Sequence, residues 1–169
     1  MILETKRLQL RTIQDKDIVF LQEYIFSDFL VMQYVFGGRV FSIDETKKFI
    51  ENNFANENEK VGLAVCINKQ TKMIIGFAGL LKYEYFASNG YEIGFVFSKE
   101  TWGNGYAIEM GKAQIDYALN RLKTKNIYGL ISSDNTASLH VIEKLNFNYF
   151  DTMHIENRGE RKIYKYNEK

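Results

Sequence analysis

Tyr91-Glu92-Ile93-Gly94-Phe95-Val96-Phe97-Ser98-Lys99-Glu100-Thr101-Trp102-Gly103-Asn104-Gly105-Tyr106-Ala107 is the stretch that decides the fold. Tyr91 to Phe97 reads as a strand that runs directly into a glycine-containing loop, Ser98 to Gly105, and then into a long helix from about Tyr106 to Arg121. Tyr106, Met110, Ala113 and Tyr117 mark the expected buried face of that helix. A helix start offers unpaired backbone N–H groups and the positive end of a dipole, and glycines let a ligand approach the backbone without a Cβ in the way. This is the geometry that binds phosphate. In open α/β sheets, ligands gather where a strand ends and a helix begins, which here is residues 91–121.

Upstream, Val61 to Asn68 and Met73 to Leu81 are apolar strands separated by Lys69-Gln70-Thr71-Lys72, which predicts a hairpin. Ser42-Ile43-Asp44-Glu45 has capping-box spacing and predicts a helix from about Ile43 to Phe54. Ile18, Leu21, Tyr24 and Ile25 recur at helical spacing and close near Ser27-Asp28, while Arg7 to Ile13 alternates as a half-buried strand. Downstream come a short strand at Ile127–Ser132, a helix at Asn135–Leu145, and a closing strand pair at Phe147–Met153 and Arg161–Tyr166. This order predicts one α/β (α+β) domain over residues 1–169, a mixed, mostly antiparallel sheet of about seven strands with helices on both faces.

Composition narrows the function. The chain has 169 residues, 46% hydrophobic and 25% charged, which suits a packed single domain and disfavours a disordered or disulfide-stapled one. Lys and Arg number 22 against 21 Asp and Glu, so the net charge of +1 lacks the positive balance of a nucleic-acid binder. A single cysteine, Cys66, and two histidines predict neither a disulfide nor a metal site. No apolar run approaches the ~20 residues that span a bilayer, and the amino terminus is charged too early for a secretory signal, so a cytoplasmic location is expected. There is no proline, so Gly, Asn, Asp and Ser must shape the loops.

The glycine loop fails as a dinucleotide fingerprint, because Ile108 stands where a third glycine belongs. It fails as a Walker loop, because Lys112 is followed by Ala113. It resembles instead the acyl-coenzyme A loop of the GNAT superfamily of N-acetyltransferases, Gln/Arg-x-x-Gly-x-Gly/Ala, with Trp102 in the Gln/Arg place, Gly105 as the glycine and Ala107 as the last small residue. The Trp-Gly-x-Gly-Tyr-Ala form is similar to the RimJ/RimL-like branch of ribosomal-protein acetyltransferases. So are Leu3 to Arg11, Glu92-Ile93-Gly94-Phe95, and Asn135-Thr136-Ala137-Ser138 through Glu143-Lys144-Leu145-Asn146-Phe147. Two departures stand out: Asn146 replaces the usual Gly, and Ile142 replaces the tyrosine that protonates the departing thiolate in many members.

The resemblance implies a GNAT-type fold and transfer of acetyl from acetyl-coenzyme A to an amine, either a protein amino terminus or a small molecule such as a polyamine, amino sugar or amino acid. A coenzyme A-binding sensor without transfer chemistry is the rival. No metal, nucleic acid or membrane is implied, and the unit is a monomer or homodimer. Backbone N–H groups of Gly103, Asn104, Gly105, Tyr106 and Ala107 would hold the pyrophosphate, and Trp102 stands either with them or as a core or rim aromatic. Phe95, Val96 and Phe97 would receive the pantetheine arm along the fourth strand, with one backbone group near the thioester. Asn135 is an N-cap with a second, implied bond to that arm. Ser138 is a donor to the thiolate sulfur or an ordinary helix serine.

Amine acetylation needs a neutral nucleophile, hence a proton acceptor, directly or through water. Glu92 is the best-placed carboxylate, against the plainer reading of an outward strand glutamate paired with a lysine; His140 and His154 are weaker candidates. The acceptor is expected between residues 24–41 and Leu81–Phe86, an aromatic region with Tyr34, Phe36, Tyr83, Tyr85 and Phe86. Asp28, Asp44, Glu45 and Glu84 are available there for a cationic acceptor.

Overall fold

The structure, a computed structural model, describes residues 3–56, 58–59, 61–83 and 90–168. Strand β1 (Leu8–Arg11) is shorter than its alternation predicts, with Leu8 and Leu10 fully buried on one side. The helix expected after it runs as α1 (Asp17–Leu21) and a π-helical turn (Gln22–Phe26), and beyond its expected close near Ser27-Asp28 a further short helix, α2 (Phe29–Met32), follows. The wider π turn brings Phe26 onto the face that Leu21 and Ile25 bury, which regular α spacing does not do, and leaves Tyr24 exposed. Asp28 then restarts the chain by accepting the Leu30 N–H at 2.9 Å. Helix α3 (Ile43–Asn53) begins as expected, with Ser42 and Glu45 in a complete capping box.

Strands β2 (Gly62–Asn68) and β3 (Ile74–Tyr83) form the predicted hairpin, and β4 (Gly90–Phe97) follows. The loop after β4 holds one 3₁₀ turn and leads into α4 (Tyr106–Asn120). Then come β5 (Ile127–Ile131), α5 (Thr136–Lys144), β6 (Phe147–Ile155) and β7 (Gly159–Tyr166). The sheet has seven strands in the order β1-β2-β3-β4-β5-β7-β6, and only the β4–β5 pairing is parallel.

Helices cover both faces. On one, α4 and α5 bury Met110, Ile115, Ala118 and Ile142 against Leu80, Ile93, Ile127 and Ile131. On the other, α1 to α3 close over an aromatic cluster in which Phe26 stacks on Phe77 at 5.6 Å and Phe49 meets both. The buried side of α4 lies one position round from the expected one. It runs Met110, Gly111, Gln114, Ile115 and Ala118, while Tyr106, Ala113 and Tyr117 are half-buried at its flank. Asn146 ends α5 at φ +66°, the left-handed conformation a helix C-terminus needs, and its side chain donates to the Asn167 carbonyl.

Candidate active site

Strands β4 and β5 pair only at Tyr91–Ile127 and Glu92–Tyr128, and beyond Glu92 they part. The Tyr91 N–H donates toward β5, to Asn126 O at 2.9 Å, whereas the Ser98 N–H donates toward β3, to Ile75 O at 2.9 Å. Alternation along the strand therefore turns the backbone groups of Ile93, Phe95 and Phe97 into the opening and those of Val96 back toward β3. The opening widens into a narrow, solvent-open cleft with a volume of about 100 Å³. Phe95, Val96, Asn135, Ser138 and Ile142 line it, as do Tyr34, Val35, Phe36 and Leu81 from the opposite side. Of the aromatic region expected there, residues 84–89, with Glu84, Tyr85 and Phe86, lie outside the described residues, as does the Tyr83 side chain.

At the carboxyl end of β4 the glycine loop takes the shape its residues suggest. Gly103 and Gly105 have φ of +77° and +74°, and Gly105 is the N-cap of α4 without a side chain to cap it. Turn bonds use the N–H groups of Thr101 and Trp102, and the helix begins its own bonds at Glu109, which donates to Gly105 O. The N–H groups of Gly103, Asn104, Gly105, Tyr106 and Ala107 have no acceptor among the described residues. Trp102 is a rim residue, 52% exposed, whose indole N–H donates to Phe97 O at 2.8 Å and ties the loop to the strand end. That carbonyl is thus already engaged, leaving the Phe97 N–H and the groups of Ile93 and Phe95 for a ligand.

Two residues absent from the sequence reading brace this loop. Glu109, in the first turn of α4, accepts from the Thr5 hydroxyl at 2.6 Å, the Arg7 N–H at 2.8 Å and the Arg7 side chain at 2.6 Å. Burial pushes its carboxyl up, but these donors outweigh it and hold the group below the usual carboxylate range. Arg7 also donates to Asn104 O at 2.9 Å and lies over the Tyr106 ring. Gln114, fully buried in α4, donates to Gly79 O at 2.7 Å and Gly94 O at 2.9 Å, pinning the middle of β3 and β4 to the helix. An acid in a first helical turn is a legible signal for Glu109; nothing in the pattern distinguishes Gln114 from a surface glutamine.

On α5, Asn135 is the N-cap, accepting the Ser138 N–H at 3.0 Å. Its amide nitrogen and the Ser138 hydroxyl have no hydrogen-bond partner among the described residues. Ile142 is buried at the inner end of the same wall; a Cβ on Gly129 would stand 2.6 Å from its Cδ1, so the glycine makes room for it. His140 and His154 are exposed and take no part in the cleft.

Glu92 is buried, 7% exposed, at the point where β4 and β5 separate. Its partner is an arginine that the sequence reading missed: Arg158, from the β6–β7 turn, holds both carboxylate oxygens at 2.8 and 3.0 Å. Asp28 pairs with Lys99 at 2.8 Å and Glu45 with Arg39 at 2.6 Å, so neither of these acids faces the cleft. Cys66 is fully buried in β2, and burial pushes its thiol up to about 12. Among the described residues no group of acidic, histidine and cysteine side chains is arranged to hold a metal ion, and no helix is long and apolar enough to cross a membrane.

An opened parallel strand pair beside a glycine-capped helix is the arrangement the motif resemblance implied, and residues 7–148 match the family model described as Acetyltransferase (GNAT) domain. The chain belongs to the GNAT acetyltransferase family. As a GNAT acetyltransferase it is an acyltransferase, and its similarity to known members runs nearly end to end. The Bacillus subtilis (strain 168) protein YkkB is 32% identical over 169 residues, covering 96% of each chain. A GNAT-family acetyltransferase from Bacillus anthracis is 26% identical with a TM-score of 0.78, covering 97% of this chain and 95% of that one. Two more distant structures share the fold. One is a spermidine N-acetyltransferase from Vibrio cholerae in complex with CoA and spermine, at 21% identity and TM-score 0.73 with 94% of each chain covered. The other is a Salmonella typhimurium acetyl transferase that modifies the N-terminal serine of ribosomal protein L7/L12, at 16% identity and TM-score 0.77 with 97% of each chain covered.

Proposed function

We propose that this GNAT acetyltransferase moves acetyl from acetyl-coenzyme A directly to a primary amine, the two substrates meeting in the cleft where β4 and β5 separate. The observation that carries the reading is the unpaired edge of β4 beyond Glu92, flanked at its far end by five backbone N–H groups without acceptors. The first suits the amide-bearing pantetheine arm, which adds to the sheet as a short strand, and the second suits the pyrophosphate. The motifs quoted above resemble those of the RimJ/RimL-like branch. The acceptor class, an amino terminus of a protein or a small amine, is addressed by the surroundings of Glu92.

In the reaction the amine nitrogen forms a bond to the thioester carbonyl carbon, the carbon–sulfur bond breaks, and the amine loses a proton. Backbone N–H of Phe95 or Phe97, turned into the opening, stabilises the developing oxyanion. Both oxygens of Glu92 already accept from Arg158, so Glu92 draws the amine proton through a water held on its remaining lone pairs. Ser138 donates its free hydroxyl to the departing thiolate, the place that a tyrosine at Ile142 would otherwise serve. Asn135 holds the arm through its free amide nitrogen. Direct transfer fits the lone cysteine: a fully buried thiol raised to about 12 supplies no thiolate to carry acetyl.

Release of free thiol from acetyl-coenzyme A over a panel of small amines and amino-terminal peptides tests this. Acetylation of at least one class is expected, without an acetyl-enzyme on Cys66. Tight coenzyme A binding with no acceptor acetylated would favour the sensor reading instead.

A further inference from the structure

On the side of the sheet covered by α1 to α3, the cleft contains one more charged side chain than its pairing requires. Arg161, on β7, is 6% exposed and lines the cleft beside Glu92 and Arg158. Alternation puts it on the face of Ile163, which packs with Tyr128 and Leu130, and this is the face Glu92 shares through its pairing with Tyr128. Among the described residues its hydrogen bonds are sparse for a guanidinium: one to its neighbour's carbonyl, Glu160 O, at 2.8 Å, and one at the limit of bonding to Tyr34 O at 3.5 Å. Glu92, the carboxylate closest to serving it, is taken at both oxygens by Arg158. Among the described residues that line the cleft the charges are therefore Glu92 against Arg158 and Arg161, a surplus of one positive charge.

A buried guanidinium without a carboxylate is costly, and its planar fork is shaped for an oxyanion. We infer that Arg161 is the receptor for a carboxylate carried by the acceptor, so that the substrate is a small amine of the amino-acid class. This rests on the acetyl-transfer reading above and narrows it. A carboxylate on Arg161 restores neutrality to the cleft and leaves the amine free to lie toward Glu92 and the opening of β4. A polyamine would add positive charge beside two guanidinium groups. Burial, with Arg158 close by, pulls Arg161 below the usual arginine range, and a bound oxyanion relieves that.

The test pairs free L-amino acids with their carboxamides, alongside spermidine and amino-terminal peptides, in two readouts. In the first, thermal stabilisation by each compound is measured in the presence of coenzyme A, which needs no turnover. In the second, kcat/KM for acetylation is compared. At least one amino acid is expected to bind and react at least about tenfold better than its carboxamide, because a site built for a polar group rejects the analogue that lacks it. Arg161→Gln is expected to erase that preference by raising KM for the acid, with coenzyme A affinity kept; Arg161→Lys should recover part of it. If the wild-type protein treats every acid and its amide alike, or prefers spermidine or peptides, the assignment of Arg161 is wrong, whatever the folding of the variants. If no compound is acetylated and coenzyme A does not bind, the acetyl-transfer reading fails first, and stabilisation by the acids but not the amides still decides Arg161.

Discussion

Replacing Gly105 separates what the loop needs from its backbone from what it needs for a ligand. Gly105 has φ +74°, and a Cβ there would meet, among the described residues beyond its chain neighbours, an Arg7 guanidinium nitrogen at 3.7 Å, an ordinary contact. An alanine there therefore costs conformation and not space, about 1–2 kcal/mol for an L-residue in the left-handed region. For a domain of this length that lowers Tm by about 2–8 °C. Gly103 has φ +77°, and a Cβ there would meet none of the described residues beyond its chain neighbours within 4 Å, so Gly103→Ala should cost the same. Valine at 105 adds a β-branched side chain that has no comfortable rotamer at this φ, and the turn must rearrange. Because the N–H groups of Gly103 to Ala107 are aimed by that turn, coenzyme A affinity should fall by about 100-fold or more, equivalent to about 2.7 kcal/mol. Asparagine tolerates the left-handed region, so Gly105→Asn should keep most of the stability while still placing a Cβ at the phosphate side. Calorimetry of coenzyme A binding, with a melting curve for each variant, reads both effects. A folded Gly105→Val protein that binds coenzyme A as wild type does would remove this loop from the site.

Ser138→Ala should lower turnover by roughly tenfold, toward the low end of proton-donor effects, with coenzyme A affinity nearly intact; wild-type turnover where chemistry limits the rate would return Ser138 to an ordinary helix serine. Glu92→Gln should lower kcat by at least about 100-fold while leaving coenzyme A binding unchanged, measured by stopped assays and calorimetry on one acceptor. Gln114→Met keeps the volume but removes the donor shared by Gly79 and Gly94, and should cost about 1–2 kcal/mol in urea unfolding, since two hydrogen bonds are lost and the unpartnered amide oxygen goes with them. Asp17, buried against Arg11 at 2.6 Å, is raised by burial but held below the usual range overall by its bonds to Arg11 and the Gln14 N–H. Its stabilisation is therefore present above the unfolded carboxylate value near 4 and is lost as pH falls through the lower folded value. Asp17→Asn should be less stable than wild type at pH 7, and the gap in Tm should close below about pH 4.

The parts of this molecule legible in the sequence are those whose signal is local. The capping box at Ser42–Glu45, the β2–β3 hairpin and the strand–loop–helix from Tyr91 are each written in neighbouring residues, and each is found. The π-helical turn at Gln22–Phe26 is not, because its cause is the burial of Ile25 and Phe26 under an aromatic cluster assembled from distant segments. The face of α4 is displaced by one position for a related reason. Gly111 is buried because Leu145 packs against it, and a polar residue, Gln114, occupies a core position because two strand carbonyls need a donor. Hydrophobic periodicity ranks a tyrosine above a glycine or a glutamine and so turns the helix the wrong way. Arg158 and Arg161 escape notice because they sit around a turn some 66 residues from Glu92, and only the β5–β7 pairing brings that hairpin to the cleft.

The Glu92–Arg158 pair marks the boundary between the two halves of the site. Toward α4 and α5 the site presents backbone groups: the free edge of β4, the loop N–H groups, and the cap of α5. These suit a cosubstrate whose recognisable parts are amides and phosphates, and they need no charged side chain in the cleft. Toward α1 to α3 the wall is apolar and aromatic, with Tyr34, Val35, Phe36 and Leu81, and the charges stand in it as a buried cluster. A buried ion pair contributes little to stability, because desolvation offsets the attraction, and removing one partner leaves the other exposed to that cost. If the pair served folding alone, replacing both members with apolar residues of similar size would be neutral or favourable. The Glu92 carboxylate sits at the last rung before the strands part, where the proposed mechanism has the amine surrender its proton, and Arg158 fixes its orientation through both oxygens. The proposed chemistry accounts for a polar cluster that the fold does not require, and the proposed carboxylate role gives the surplus guanidinium of Arg161 a reason to stand on this side of the cleft and not among the backbone donors proposed for coenzyme A.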